Sequence, residues 1–191
     1  AKRGESIYLF VIKAAIREHV DAWKIELSRL KRRNEYNFGL KNRMIIGYFR
    51  SLSITIAAFI FGGVTGTLSF LLCAFLAKLL LESINYIEHY GLVRERGTPV
   101  EMRHSWNSNH FLSSIYLCNV TRHSDHHRAA NLKFWELNPC HEDAPLLPYG
   151  YLSMLYLLLV TPFLYSKVMS KEFIDWDQNY ANEYEINYIM Q

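Results

Sequence analysis

From Ser51 to Ala77 the chain runs for 27 residues without an Asp, Glu, Lys or Arg. A charge-free stretch longer than about 18 residues meets the length of a membrane-crossing helix, because hydrocarbon offers no water to solvate a charge. The apolar region is wider than this run and has internal structure. Met44 to Phe61 is apolar apart from Arg50, Gly62 to Thr67 breaks the helical pattern, and Leu68 to Ile87 is a second apolar stretch. At 1.5 Å per residue, each stretch is just long enough to cross a core of about 30 Å. The pattern predicts a transmembrane helical hairpin over 44–90, turning at Gly62–Thr67. The alternative is one long tilted span across 51–77. Lys78 and Glu82, four residues apart in the second stretch, are expected either to pair on one helix face or to snorkel to the interface.

Charge is distributed to match. Residues 1–50 carry a balance of +7 and the remainder −4. The cluster Arg29-Leu30-Lys31-Arg32-Arg33 sits just ahead of the apolar region, which places residues 1–43 in the cytoplasm by the positive-inside rule. Within them, Leu9, Ile12, Ile16, Val20, Trp23 and Leu27 recur at three- and four-residue steps, as in an amphipathic surface helix over 5–33. The basic cluster also suits membrane lipid headgroups. Nucleic acid is not an expected partner, since no recognition module accompanies the basic residues. Cys73, Cys118 and Cys140 have no C-x-x-C spacing and read as reduced thiols.

Three of the eight histidines fall in Arg122-His123-Ser124-Asp125-His126-His127. Residues three and four apart share a helix face, so His123, His126 and His127 are expected to converge on a metal. Imidazole suits iron, zinc, copper and nickel. Asp125 points elsewhere on the helix and is expected to orient a ligand histidine, with Arg122 pairing to a carboxylate. The apolar run Phe111–Val120 is expected to begin the helix that carries His123. Residues 91–145 form a cytoplasmic metal-site region, 146–170 an interfacial or re-entrant helix bracketed by Pro148 and Pro162, and 171–191 an acidic tail. His19 and His141 read as isolated surface residues.

A second motif lies upstream, Asn85-Tyr86-Ile87-Glu88-His89-Tyr90-Gly91-Leu92. Together with Arg122–His127 it closely resembles the integral-membrane alkane 1-monooxygenases, within the membrane fatty-acid desaturase/hydroxylase group. Gly4–Tyr8, His104–His110 and Leu147-Pro148-Tyr149-Gly150-Tyr151 agree with that group more loosely. The resemblance implies that His89 joins His123, His126 and His127 as metal ligands. It further implies that Glu88, His104 and His110 lie near the site. The boxes H-E-x-x-H-K and E-H-x-x-G-H-H of that group do not occur here, so the chain reads as the C-terminal portion of a longer protein.

The expected fold is therefore all-α. It is an integral membrane helical bundle with a transmembrane hairpin plus interfacial and cytoplasmic helices, the C-terminal part of a larger histidine-rich di-iron fold. The resemblance implies two iron ions, O2 and a medium-chain n-alkane as substrates, and rubredoxin as electron donor. It also implies a multi-pass location in a bacterial inner membrane with the metal site on the cytoplasmic side. The alternatives are a related alkyl-aromatic or fatty-acyl hydroxylase or desaturase, and an inactive membrane remnant.

Overall fold

A computed structural model describes residues 1–140 and 142–190; His141 lies outside the described residues. Their regular structure is helical: α1 Ile7–Arg32, α2 Arg43–His89, a 3-10 turn Met102–His104, α3 Phe111–Tyr116, α4 His123–Arg128, α5 Tyr151–Val160, α6 Pro162–Asn179 and α7 Glu183–Ile189. An isolated parallel bridge joins Asn107 to Leu146. The chain divides into two compact units, residues 11–82 and residues 1–10 with 83–191.

In the first unit, α2 departs from helical geometry at Gly63, where φ is 57° and ψ is −153°. This region is open to glycine and costs other residues about 1–3 kcal/mol. The chain doubles back there. A Cβ placed on Gly66 would lie 3.1 Å from the Ala58 carbonyl oxygen, whereas eight residues of straight helix span ~12 Å. Adjacent residues of α1 give the same result. Glu18 accepts a hydrogen bond from Lys78 Nζ at 2.7 Å, and His19 Nε2 lies 2.7 Å from the Tyr48 hydroxyl. Positions 48 and 78 of a straight helix would stand ~45 Å apart. The two arms therefore run back along one another, and one straight span is excluded. The helix is long and apolar enough to cross a membrane, and none of its most apolar window is buried against protein.

Lys78 pairs with both Glu18 and the fully buried Glu82, as the four-residue spacing predicts. At the foot of the hairpin, Asn42 Oδ1 accepts from the amides of Met44 at 2.9 Å and Ile45 at 3.3 Å, capping α2. Glu26 accepts from Arg29 Nε and Nη2 at 2.8 and 2.6 Å and from the Arg43 amide at 2.6 Å. These bonds close the loop between α1 and α2.

The second unit has an aromatic core. Tyr86 stacks on Tyr90 with ring centroids 4.7 Å apart, and Tyr90, Tyr165, Phe173 and Trp106 continue the cluster. The chain leaves α2 through Gly91 at φ 75°, and a Cβ there would collide with the Phe173 ring. Arg3 locks this corner: its Nε donates to the Gly91 carbonyl at 3.0 Å and its guanidinium makes a two-pronged pair with Asp177. Pro162 opens α6 instead of ending the preceding helix, since a proline at the first helical position loses no intrahelical bond. The region read as an acidic tail is thus largely helical, and it buries Phe173, Trp176 and Glu185.

Phe111–Val120 does not run into the helix of His123. Cys118 and Asn119 take left-handed φ values of 48° and 58°, which stop α3 and let α4 start afresh.

The Glu26 carboxyl is held down to about 2, from an ordinary 4.5, chiefly by its bonds to Arg29 and then to the Arg43 amide. A depressed carboxyl contributes stability that is complete above the unfolded value and fades as pH falls through the folded one. The unfolding midpoint in detergent should therefore drop between about pH 4.5 and 2, and Glu26→Gln should flatten that part of the curve. Identical acid limbs for the two proteins would contradict the assignment.

Candidate metal centre

The last turn of α2 presents Glu88 and His89, and α4 presents His123 and His127. The ring centroids of His89 lie 5.1 Å from His123 and 5.3 Å from His127, and those of His123 and His127 are 4.4 Å apart. One ligand atom from each lies within 4.8 Å of the others. The backbone that joins the two helices runs through residues 105–108. The Trp106 amide donates to the Glu88 carbonyl at 2.8 Å and its indole to the Tyr90 carbonyl at 2.9 Å. Ser124 of α4 donates to the Ser105 carbonyl at 3.0 Å, and its amide donates to Asn107 Oδ1 at 3.2 Å. Every one of these linking residues is buried.

The hydrogen-bond pattern assigns the tautomer of His89. His89 Nδ1 lies 3.1 Å from the His104 carbonyl, which can only accept, so Nδ1 carries the proton. His89 Nε2 is left with its lone pair, 3.3 Å from His123 Nε2. His123 Nδ1 lies 3.4 Å from Glu88 Oε1, a close approach in which neither atom has a hydrogen-bond partner among the described residues. His127 Nε2 is buried without a hydrogen-bond partner among the described residues. In the metal-free chain His123 Nε2 can donate to the His89 Nε2 lone pair, and a cation placed between the two nitrogens takes the place of the shared proton. With metal–nitrogen bonds of about 2.1 Å, ligands at tetrahedral or octahedral angles stand ~3.0–3.4 Å apart, so the pair fits a shared ion. Burial, and then the neighbouring imidazoles, push His123 down to about 2; burial also lowers His127. Both are therefore neutral and free to ligate near pH 7.

The other expected residues fall in different places. His126 is exposed, with its ring 5.9 Å from His123 and 6.3 Å from His127. Adjacent helical residues diverge by about 100°, so His126 and His127 aim to opposite sides of His123. Asp125 is buried and touches none of the three clustered imidazoles by hydrogen bond; it accepts from Arg128 Nε at 2.7 Å and from the Asn138 amide at 2.8 Å. It ties down the loop after α4. Among the described residues Arg122 pairs with no carboxylate but donates to the Leu137 carbonyl at 2.5 Å. The contact to a ligand imidazole expected of Asp125 is made by Glu88 instead. His110 is exposed at the start of α3 and meets Ser108 Oγ at 3.0 Å. His104 is buried and reaches His89 through its carbonyl. Glu185, which bonds His104, escaped the sequence reading. The signal was there: Asn182 and Glu185 stand in the N-x-x-E pattern of a capping box, and the box forms.

Against known sequences, the fatty acid desaturase family profile matches residues 1–158. The chain belongs to the fatty acid desaturase family. It is 38% identical over 178 residues to alkane 1-monooxygenase 2 of Alcanivorax borkumensis, covering 89% of this chain and 45% of that protein. It is 37% identical over 167 residues to alkane 1-monooxygenase 1 of Pseudomonas aeruginosa, covering 85% and 44%. It is 32% identical over 179 residues to XylM, the xylene/toluene monooxygenase hydroxylase component of Pseudomonas putida, covering 94% and 48%. This desaturase-family chain thus spans about half the length of the curated relatives it matches.

A three-imidazole site makes a direct prediction. His123→Ala or His127→Ala should weaken Co2+ binding by more than the about 10–100-fold typical of losing an outer partner. His110→Ala should leave it unchanged. Spectroscopic titration with Co2+ measures both, and equal affinity in His127→Ala and wild type would contradict the site.

Proposed function

We propose that this chain supplies part of the active centre of a membrane-bound non-haem di-iron monooxygenase, which hydroxylates the terminal carbon of medium-chain n-alkanes using O2 and electrons from rubredoxin. The observation that carries the reading is the buried cluster of His89, His123 and His127, in a chain 38% identical over 178 residues to an alkane 1-monooxygenase. His89, His123 and His127 hold one iron. His126, exposed and directed away, is free to meet a second iron whose remaining donors come from outside residues 1–191. When bound, the irons supply activation of O2 and insertion of one oxygen atom into an unactivated C–H bond.

The residues of this chain prepare that chemistry. The His104 carbonyl keeps the Nδ1 proton of His89 and so directs its Nε2 lone pair to the ion, while Glu88 lies beside the His123 ring. Trp106 and Tyr151 exclude water from the surroundings: both are buried, and the Tyr151 hydroxyl donates to the Trp106 carbonyl at 3.1 Å. The substrate class suits the location, because an n-alkane partitions into the bilayer that an unburied apolar hairpin would occupy.

Single changes of His89, His123, His126 or His127 to Ala in the whole protein should remove most conversion of octane to 1-octanol. Full activity in His126→Ala would refute the two-iron assignment. The likeness to XylM favours one second reading, a hydroxylase of alkyl-aromatic methyl groups, and products from octane, xylene and palmitate compared side by side separate the readings. Residues 1–191 alone should bind iron below two per chain and turn nothing over. An inactive remnant would show no iron and no activity in the whole protein either.

The same reading sets a topology. The basic segment 1–50, residues 93–145 and the C-terminal residues lie in the cytoplasm, and the turn around Gly63 reaches the far side. A membrane-impermeant thiol reagent applied to intact cells should label Thr65→Cys and spare Thr121→Cys. The reverse pattern would overturn it.

A further inference from the structure

We propose that Glu185, on the C-terminal helix α7, is a positioning residue for the metal ligand His89, acting through His104. The proposal rests on the metal-centre reading above.

The argument follows the protons. The Glu101 amide donates to His104 Nδ1 at 2.9 Å, so that nitrogen carries a lone pair and the ring proton sits on Nε2. His104 Nε2 then donates to Glu185 Oε1 at 2.8 Å, and both residues are buried. The other carboxylate oxygen is equally committed. Glu185 Oε2 accepts from the Asn182 amide at 2.9 Å and lies 3.3 Å from Arg103 Nη1. Asn182 Oδ1 accepts from the Glu185 amide at 2.9 Å in return, fixing the start of α7. Glu185 thus holds the His104 ring from one side while Glu101 holds it from the other. The His104 main chain is held with it, and its carbonyl is the group that accepts from His89 Nδ1 at 3.1 Å. A connected path runs from the α7 carboxylate to the proton that keeps His89 Nε2 free for the metal.

Both oxygens of Glu185 must accept, since each faces only N–H donors. Glutamine has the same shape but one accepting atom. In Glu185→Gln an amide N–H must oppose either the His104 Nε2 proton or the donors of Asn182 and Arg103. Either arrangement loosens the His104 turn.

The test uses the whole protein purified in detergent with Co2+ as the probe. Glu185→Gln should bind Co2+ about 10–100-fold more weakly, with a shifted visible absorption band. In the metal-free protein, NMR of isotope-labelled histidine should show His89 protonated on Nδ1 in wild type and as a mixture of tautomers in Glu185→Gln. A role confined to helix packing would change unfolding and leave the cobalt band and the tautomer alone. Wild-type affinity, band and tautomer in Glu185→Gln would overturn the proposal. If wild type itself binds no Co2+, the metal-centre reading falls and this inference falls with it. If wild type binds, His127→Ala does not, and Glu185→Gln binds as wild type, only this inference falls. Should Glu185→Gln fail to fold, Asn182→Ala removes the cap that holds the carboxylate. A several-fold loss of Co2+ affinity there supports the proposal, and unchanged affinity rejects it.

Discussion

Two imidazole nitrogens, His89 Nε2 and His123 Nε2, are held 3.3 Å apart, within reach of one shared proton or one metal ion. The His89 ring is pinned from behind by the His104 carbonyl, and the His123 ring packs against Glu88, 3.4 Å away. Much of the second unit serves those two anchors. Trp106 bonds the end of α2 through main chain and indole, Ser105 and Asn107 bond α4, and Glu185 bonds His104. A metal-binding group is most effective when its ligands are oriented before the ion arrives, and buried hydrogen bonds provide that orientation.

The aromatic core has a related role. The two helices that carry ligands meet only near their ends, and α4 has six residues. So short a helix has no stability of its own. It keeps its shape because Ser124 and Asp125 are buried and hydrogen-bonded beneath it, leaving His123 and His127 to project. The Tyr86, Tyr90, Tyr165 and Phe173 cluster anchors the end of α2 against α6 by area burial, with the Arg3–Asp177 pair closing its edge. In the other unit the chain reverses at Gly63, and the one Lys inside the apolar arm is neutralised by Glu18 and Glu82, as a charge in such a setting requires.

Local spacing carries information about faces and lengths, and those parts were legible. The apolar stretches broken near Gly63, the pairing of Lys78 with Glu82 and the joint presentation of His123 and His127 follow from helical periodicity alone. The failures share a cause. Phe111–Val120 has a helical composition, but Cys118 and Asn119 take left-handed φ values and end α3. Arg122 and Asp125 sit beside the ligands in sequence, yet Leu137 and Asn138, which bond them, lie on the loop that follows α4. Pro162 punctuates the chain, and whether it ends one helix or begins the next depends on what the following residues pack against.

Helical periodicity and charge thus determined the all-α class, the apolar hairpin and the shared face of His123 and His127, because each depends on residues within a few positions of one another. Which imidazoles share a site, which nitrogen of His89 is free, and which carboxylates stand behind them were decided only by the tertiary structure. Those properties depend on hydrogen bonds between residues 15 to 81 positions apart, such as His89 with His104 and His104 with Glu185. No local pattern can specify such pairs, because the chain between them must first be folded.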